Sequence, residues 1–296
     1  MKNIEMIDQI IQGDCLQLMK ELDGGSIDMV LTSPPYDNLR AYKGFIFPFE
    51  SIVKELFRII KDGGVVVWIV NDATIDGTET GTSFKQAIYF KEIGFNIHDT
   101  MIFRKRNPIP QIYRKRYNNE FEYMFVFSKG SVKTHNPMMI DCLHAGLELV
   151  GTTYKNYSKN EQRREKMAKP VKAQKVKGNI WEYVVGKNSE DQEAKGHPAP
   201  FPCELARDHI SSWSNPGDVV LDPMCGSGTT TKVAKQLGRR FIGMDISEEY
   251  CQIARGRLGV NVLIPLSCSE GSKSPQVELP LDWGCIEITP EVQAAI

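Results

Sequence analysis

The chain of 296 residues is 41% hydrophobic, which suffices for one α/β core and an additional module. Its net charge of −1 carries no whole-chain signature of nucleic-acid binding, so only local charge clusters can indicate it. The seven cysteines form no CxxC pair or Cys/His cluster, and the N-terminal segment has no apolar signal core, so we expect a cytoplasmic protein without a bound metal or a membrane span.

Alternating strand and helix patterns fill the first 129 residues. Two prolines end an apolar strand at residues 26–31, and helical spacing at residues 49–61 stops at a predicted turn, Asp62-Gly63-Gly64. The remaining predicted elements are a strand at residues 65–70, a helix at 83–93, and strands at 97–104 and 122–128. A strand, a helix and a second strand in this order form a unit of a parallel sheet.

A second patterned region covers residues 196–262, and a basic segment, residues 130–195, separates it from the first. Its predicted elements are a helix at 203–212, a strand at 219–222, a helix at 229–237, a strand at 240–244 and a helix at 248–258. Such a βαβα run is typical of a nucleotide-binding sheet. The basic segment has little periodicity, and the polar tail, residues 263–296, indicates no role.

A glycine-rich loop follows the strand at 219–222 and is bracketed by two acids. Glycines at such a turn, Gly226 and Gly228, let the backbone approach a ligand closely. The loop has no GxxxxGK[ST] pattern, and the carboxylate of Asp222 would repel a polyphosphate. Asp245 ends the next strand, where such folds bind ribose hydroxyls. Both acids fit a zwitterionic nucleoside such as S-adenosylmethionine, and the alternative for Asp245 is a helix N-cap.

The tetrapeptide Ser33-Pro34-Pro35-Tyr36 follows a buried strand and therefore projects from the carboxyl edge of the sheet, where open α/β sheets place active sites. Pro35 helps to fix the direction of the Pro34 carbonyl, which forms a pair of acceptors with the Ser33 hydroxyl. Two acceptors on an NH₂ group favour a pyramidal nitrogen whose lone pair can attack a sulfonium methyl. Tyr36 can stack on a base flipped out of the duplex. The alternative is a proline-rich turn with a structural tyrosine.

In this order, residues 32–36 (TSPPY) and 221–230 (LDPMCGSGTT) resemble the amino-group DNA methyltransferases of the β arrangement, whose catalytic half precedes the cofactor half. The resemblance covers most of residues 8–258. It implies an α/β fold of the Rossmann-like class I type, with a doubly wound, mostly parallel sheet. It divides the chain into a catalytic half at 1–129, a target-recognition insertion at 130–195 and a cofactor half at 196–262.

The same resemblance implies roles for particular residues. The catalytic residues would be Ser33, Pro34, Pro35 and Tyr36. The cofactor S-adenosylmethionine would bind to Asp14, Cys15, His197, Pro198, Phe201, Pro202, Asp222, Pro223, Met224, Cys225, Gly226, Ser227, Gly228, Thr229, Thr230, Asp245 and Ile246.

Ser33 bears on the choice of target base. Cytosine-N4 members of the family carry serine at this position, whereas adenine-N6 members usually carry Asp or Asn. The resemblance therefore implies site-specific methylation of cytosine N4, with adenine N6 as the alternative. Related Asn-Pro-Pro-Tyr motifs serve RNA or protein substrates, and a nucleic-acid-binding protein without activity would keep the fold. The serine and the basic insertion disfavour an RNA or protein substrate. The intact motifs disfavour an inactive nucleic-acid-binding protein.

Two basic clusters favour double-stranded DNA as the partner, because lysine and arginine contact phosphates. The first cluster consists of Arg104-Lys105-Arg106 and Arg114-Lys115-Arg116, on either side of a stiff loop. The second cluster holds ten Lys and Arg against three acids between residues 155 and 187, and the alternative for both clusters is a solvated surface. The resemblance leaves open a homodimer and a cognate restriction endonuclease that acts separately. The predicted DNA-binding residues are Arg104, Lys105, Arg106, Arg114, Lys115, Arg116, Arg163 and Arg164.

Overall fold

The computed structural model describes residues 5–35, 47–108, 115–146, 170–186 and 201–259, which are built around one eight-stranded sheet. The helices α1 to α6 cover Cys15–Lys20, Phe49–Ile59, Thr82–Ile93, Cys203–Trp213, Thr229–Gln236 and Glu248–Leu258. The strands β1 to β12 cover Gln9–Gln12, Ile27–Thr32, Ile60–Val70, Thr74–Ile75, Thr78–Glu79, Asn96–Lys105, Phe121–Ser128, Met139–Asp141, Gln174–Val176, Ile180–Tyr183, Val219–Asp222 and Arg240–Asp245.

The strand order in the main sheet is β1-β12-β11-β2-β3-β7-β6-β10. β7 runs antiparallel to both of its neighbours, β3 and β6, and all the other neighbouring pairs are parallel. The strands β4 and β5 form one antiparallel ribbon, and β8 and β9 form another. The predicted doubly wound, mostly parallel sheet is therefore confirmed.

Helices cover both faces of the sheet, because the central strands are apolar on both sides. Along β3, Val67 and Ile69 belong to one buried cluster, whereas Val66 and Trp68 belong to another. Side chains of α4, α5 and α6 join the first cluster, and side chains of α1, α2 and α3 join the second. A strand buried on both faces reads as a continuous apolar run, which is how β3 could be predicted.

The turn predicted at Asp62-Gly63-Gly64 lies inside a strand, so this prediction is wrong. α2 ends at Ile59, and β3 begins at once. The pairing of β3 with β2 shifts register within this stretch, which is a bulge. Gly63 has φ +85°, and a Cβ on Gly64 would lie 2.8 Å from the Asp28 carbonyl oxygen. The glycines thus permit a bulge where the sequence pattern indicated a turn between helix and strand.

Short strands at both ends of the main sheet were not predicted. β1 has four residues of mixed burial, and β10 alternates between exposed and buried positions. Trp181 and Tyr183 on β10 join the first buried cluster. β10 belongs to the segment predicted as an insertion, so the end of that segment is part of the main sheet. Among the described helices, none has the length and apolar character that crossing a membrane requires.

Candidate active site

Four parallel strands of the main sheet end at one edge, and predicted site residues lie at or just beyond their ends. β1 leads to Asp14, β2 leads to Ser33, β11 ends at Asp222, and β12 ends at Asp245. The chain passes from β11 through α5 to β12 on one side, and from β2 through α2 to β3 on the other. The direction of the crossovers reverses between β11 and β2, so the crevice that open α/β sheets use for ligands lies there.

The glycine-rich loop turns sharply from β11 into α5. The amide of Cys225 donates to the Met244 carbonyl (2.8 Å), which fixes the loop against β12. Gly228 has φ +80°, and a Cβ there would lie 2.7 Å from the Cβ of Ala254 on α6. Both the backbone conformation and the contact with α6 therefore require glycine at this position.

Asp245 binds the glycine-rich loop from the neighbouring strand. One carboxylate oxygen accepts from the amide of Gly226 (2.9 Å), and the other accepts from the amide of Ser247 (2.9 Å). Burial raises the pKa of the Asp245 carboxyl. The N-cap of α6 is Ser247, whose hydroxyl accepts from the amide of Tyr250, so the cap alternative for Asp245 is wrong.

Asp14 and Cys15 lie beside Asp245 at the start of α1. The carboxylate of Asp14 caps this helix by accepting from the amide of Leu16 (2.9 Å). The amide of Gly13 donates to the Asp245 carbonyl (2.8 Å). Burial, together with the nearby charges of Asp14 and Asp245, raises the pKa of the Cys15 thiol to about 12, so this cysteine is neutral. Two acids therefore share this end of the site.

The described part of the predicted catalytic tetrapeptide begins where β2 leaves the sheet. The parallel pairing with β3 reaches Thr32, opposite Trp68, and Ser33 follows. Pro34 is buried, whereas Ser33 and Pro35 are partly exposed. These three residues therefore lie at the same edge as the glycine-rich loop.

Asp222 lies between the two loops and is almost fully buried. It accepts from the hydroxyl of Thr32 (2.8 Å) and from the amide of Met224 (3.2 Å). Burial raises the pKa of the Asp222 carboxyl to about 6, although the hydrogen bonds that the carboxylate accepts act in the opposite direction. In return, the hydroxyl of Thr230 donates to the Leu31 carbonyl (3.2 Å). The end of β2 is therefore hydrogen bonded both to the end of β11 and to the start of α5.

A family model described as DNA methylase, of the N6 and N4 classes, matches residues 27–256 of this sequence. The chain belongs to this family of DNA methyltransferases. It is 47% identical over 266 residues to a protein from Bacillus amyloliquefaciens described as orphan methyltransferase M.BamHII, a match that covers 88% of this chain and 99% of that protein. It is 25% identical to the type II methyltransferase M.BglII from Bacillus subtilis, over 84% of this chain and 68% of that protein.

Solved structures share the fold of this DNA methyltransferase. The PvuII DNA methyltransferase, described as cytosine-N4-specific, superposes with a TM-score of 0.64 at 20% identity and covers 88% of this chain and 87% of its own. The M1.HpyAVI complex with SAM superposes with a TM-score of 0.54 at 24% identity, over 84% of this chain and 99% of that one. At these identities the likeness establishes the fold.

The residues at this edge fit the cofactor that the sequence implied. Each carboxylate oxygen of Asp245 receives one amide in the described structure, and a carboxylate oxygen can accept two hydrogen bonds. Asp245 can therefore accept from ribose hydroxyls without losing its contacts to the loop. Acids suit a ligand with a cationic sulfonium and ammonium, and Gly226 allows a close approach of the backbone.

Arg257 contacts the glycine-rich loop, a role that the sequence did not predict. Its guanidinium donates to the carbonyl of Ser227, to the hydroxyl of the same residue (3.2 Å) and to the hydroxyl of Thr229 (3.4 Å). It lies near the end of α6, about thirty residues after the loop, and no spacing rule connects the two. The useful signal would have been an arginine on the helix whose Ala254 packs against Gly228.

Four members of the first basic cluster form ion pairs with glutamates. Arg104 and Arg106 pair with Glu182 at 2.9 and 3.7 Å, and Lys105 pairs with Glu122 at 2.8 Å. Arg116 pairs with Glu79 in the β5 strand (3.3 Å), and Lys115 is exposed. These glutamates lie in other strands, so the first cluster looks purely basic in the sequence.

The other predicted site residues are only partly placed. Pro202 is the buried N-cap of α4, Phe201 packs against the first buried cluster, and Ile246 is exposed beyond β12. Residues outside the described ranges are Tyr36, Arg114, Arg163, Arg164, His197 and Pro198.

Proposed function

We propose that this DNA methyltransferase transfers a methyl group from S-adenosylmethionine to the N4 amine of a cytosine flipped out of the duplex. The observation that carries the proposal is the position of Ser33-Pro34 at the end of β2, hydrogen bonded through Thr32 to the loop that fits the cofactor. Donor and acceptor of the methyl group would thus meet in one crevice. Membership of the DNA methylase family supplies the class of substrate.

Bound S-adenosylmethionine would supply a sulfonium methyl, which is already electrophilic. The lone pair of an exocyclic base amine is delocalised into the ring, so the protein must make it available. The Ser33 hydroxyl and the Pro34 carbonyl accept hydrogen bonds from the two amine hydrogens and favour a pyramidal nitrogen. The N–C bond then forms as the S–C bond breaks, and the methylated amine loses its surplus proton to solvent. S-adenosylhomocysteine is the second product.

Ser33 carries the choice of cytosine N4. The likeness to the cytosine-N4-specific PvuII enzyme agrees with it, but at 20% identity that likeness speaks for the fold. Adenine N6 is the second candidate, because the matching family model covers both classes. The two products differ as nucleosides, so the product decides between them.

Methyl transfer from labelled S-adenosylmethionine to DNA, RNA and protein tests the proposal. We expect label in DNA alone, and N4-methylcytosine after hydrolysis to nucleosides. Ser33→Ala should lower kcat by about 10²-fold or more, because it removes one of the two acceptors. Ser26→Ala is the matched control: this serine lies just before the other end of β2, where its hydroxyl donates to the Asp23 carbonyl. N6-methyladenine as the product, or an unchanged kcat for Ser33→Ala, contradicts the proposal.

We also propose that the enzyme works without a cognate restriction endonuclease, since its 47% identical relative is described as an orphan methyltransferase.

The basic segment, residues 130–195, is the proposed target-recognition region. A homodimer is a further expectation of the family resemblance. Sedimentation of the purified chain with and without DNA measures its oligomeric state.

A further inference from the structure

The two strands that carry the active-site loops separate before the loops begin. β2 and β11 are paired in register only at Met29 with Val220 and at Val30 with Leu221. Asp222 follows directly on one strand, and Thr32 follows two residues later on the other. The backbone ladder therefore ends just where the catalytic loop and the cofactor loop diverge.

Side-chain hydrogen bonds continue the connection beyond the ladder. The hydroxyl of Thr32 donates to Asp222 (2.8 Å), and the hydroxyl of Thr230, at the start of α5, donates to the Leu31 carbonyl (3.2 Å). Thr230 also lies within hydrogen-bonding reach of Asp222. One bond is donated from β2 to the end of β11 and the other from α5 back to β2, and they join residues 190 and 199 positions apart in the sequence.

Water is excluded from this group of side chains. Thr32 and Thr230 are fully buried, and Asp222 is 2% exposed. A hydroxyl removed here cannot be replaced by solvent, so the acceptor it served would stay unsatisfied. By contrast, Thr231 donates to the Gly228 carbonyl within its own loop and helix and makes no bond to β2 among the described contacts.

We infer that Thr32, Asp222 and Thr230, here called the loop junction, hold the catalytic loop in register with the cofactor loop, so that Thr32 and Thr230 are positioning residues for methyl transfer. This inference rests on the proposed function. Thr32 directly precedes Ser33, and Asp222 directly precedes the loop that fits the cofactor. An in-line transfer needs the amine and the methyl group aligned, and a displacement of about 1 Å can cost about 10²-fold in rate.

Thr32→Val tests the inference, because valine keeps the shape of threonine and removes its hydroxyl. We expect kcat to fall about 10- to 100-fold. The Kd for S-adenosylmethionine, measured by calorimetry, should change less than about threefold, because the cofactor contacts are on the other loop. Thr32→Ser keeps the hydroxyl and should restore most of kcat. A role in stability alone predicts a lower midpoint of urea denaturation for Thr32→Val with an unchanged kcat of the folded enzyme.

Two further variants complete the test. Thr230→Val should also lower kcat, and the double variant should lose less than the product of the two single losses, because both bonds serve one junction. Ser128→Ala removes a buried hydroxyl at the far end of β7, which donates to the Gly130 carbonyl, and measures how far lost stability alone changes kcat.

The outcomes separate this inference from the proposed function. A wild-type enzyme without methyl transfer to DNA overturns the proposed function. An active wild-type enzyme whose Thr32→Val variant keeps its kcat overturns the loop junction alone. A Thr32→Val variant that has lost kcat and cofactor affinity to the same degree also overturns it.

Discussion

A single methyl group distinguishes alanine from glycine, and Gly228 has no space for it. The Cβ would meet the Cβ of Ala254 at 2.7 Å, and φ is +80°. Gly217 has a similar φ of +89°, but a Cβ added there would meet no atom within 4 Å. The two glycines therefore share the backbone requirement and differ in the steric one.

We predict that Gly217→Ala lowers the free energy of unfolding by about 1 kcal/mol, through backbone strain alone. Gly228→Ala should lower it by roughly 2–4 kcal/mol, because α6 must also shift. It should also weaken S-adenosylmethionine binding, which Gly217→Ala should not. Urea denaturation and calorimetry measure both quantities. Equal destabilisation by the two variants would contradict the contact with α6.

At the scale of elements, α6 acts on the site through Arg257. This side chain bridges the carbonyl and hydroxyl of Ser227 and the hydroxyl of Thr229. All three contacts come from one guanidinium nitrogen, Nη1, and a lysine side chain is one bond shorter, so its ammonium would not reach the same position. The loop conformation therefore depends on a helix that follows it in the chain.

We predict that Arg257→Lys weakens S-adenosylmethionine binding about tenfold, or about 1.4 kcal/mol, because the loop is less well held. Arg239→Lys is the control: Arg239 also bridges acceptors, those of Ser214 and Leu237, away from the site. It should lower stability and leave the cofactor Kd unchanged. Calorimetric titration of both variants decides, and equal Kd values for Arg257→Lys and wild type would disprove the role.

The sequence predicted well the elements with strong patterns and clear end signals, and it missed those defined by distant partners. The bounds of β11 and α6 were predicted correctly because a buried apolar run and clear end signals define them. The bulge in β3 was read as a turn, since paired glycines suit both. For the site, local motifs located the loops, but the bond between Thr32 and Asp222 spans 190 positions and leaves no local signal.

At the scale of the whole molecule, positive charge is unevenly compensated. Arg104, Lys105 and Arg106 have glutamate partners on neighbouring strands. Residues 155–187 hold ten Lys and Arg against three acids in the sequence, within a net charge of −1. Phosphate contacts should therefore come mainly from the second cluster, because an arginine already paired with a carboxylate gains less from a phosphate.

We predict that Arg163→Ala with Arg164→Ala makes the slope of log K against log salt concentration for DNA binding less negative by roughly 2, one for each lost phosphate contact. Arg104→Ala with Arg106→Ala removes the same charge and should make the slope less negative by less than about 1. Fluorescence anisotropy with labelled duplex DNA at several salt concentrations measures both slopes. A larger change in slope for Arg104→Ala with Arg106→Ala would instead assign the phosphate contacts to the first cluster.

The order of strands in the sheet also governs how the protein can fold as it is made. β2 lies between β3, which follows it closely in the chain, and β11, which comes nearly 190 residues later. At about 5–20 residues per second, the ribosome needs about 10–40 seconds to supply that partner. During this time one edge of β2 has unpaired backbone groups, which can pair with other chains. The strand that leads to the predicted catalytic tetrapeptide is thus also a place where newly made chains are exposed to aggregation.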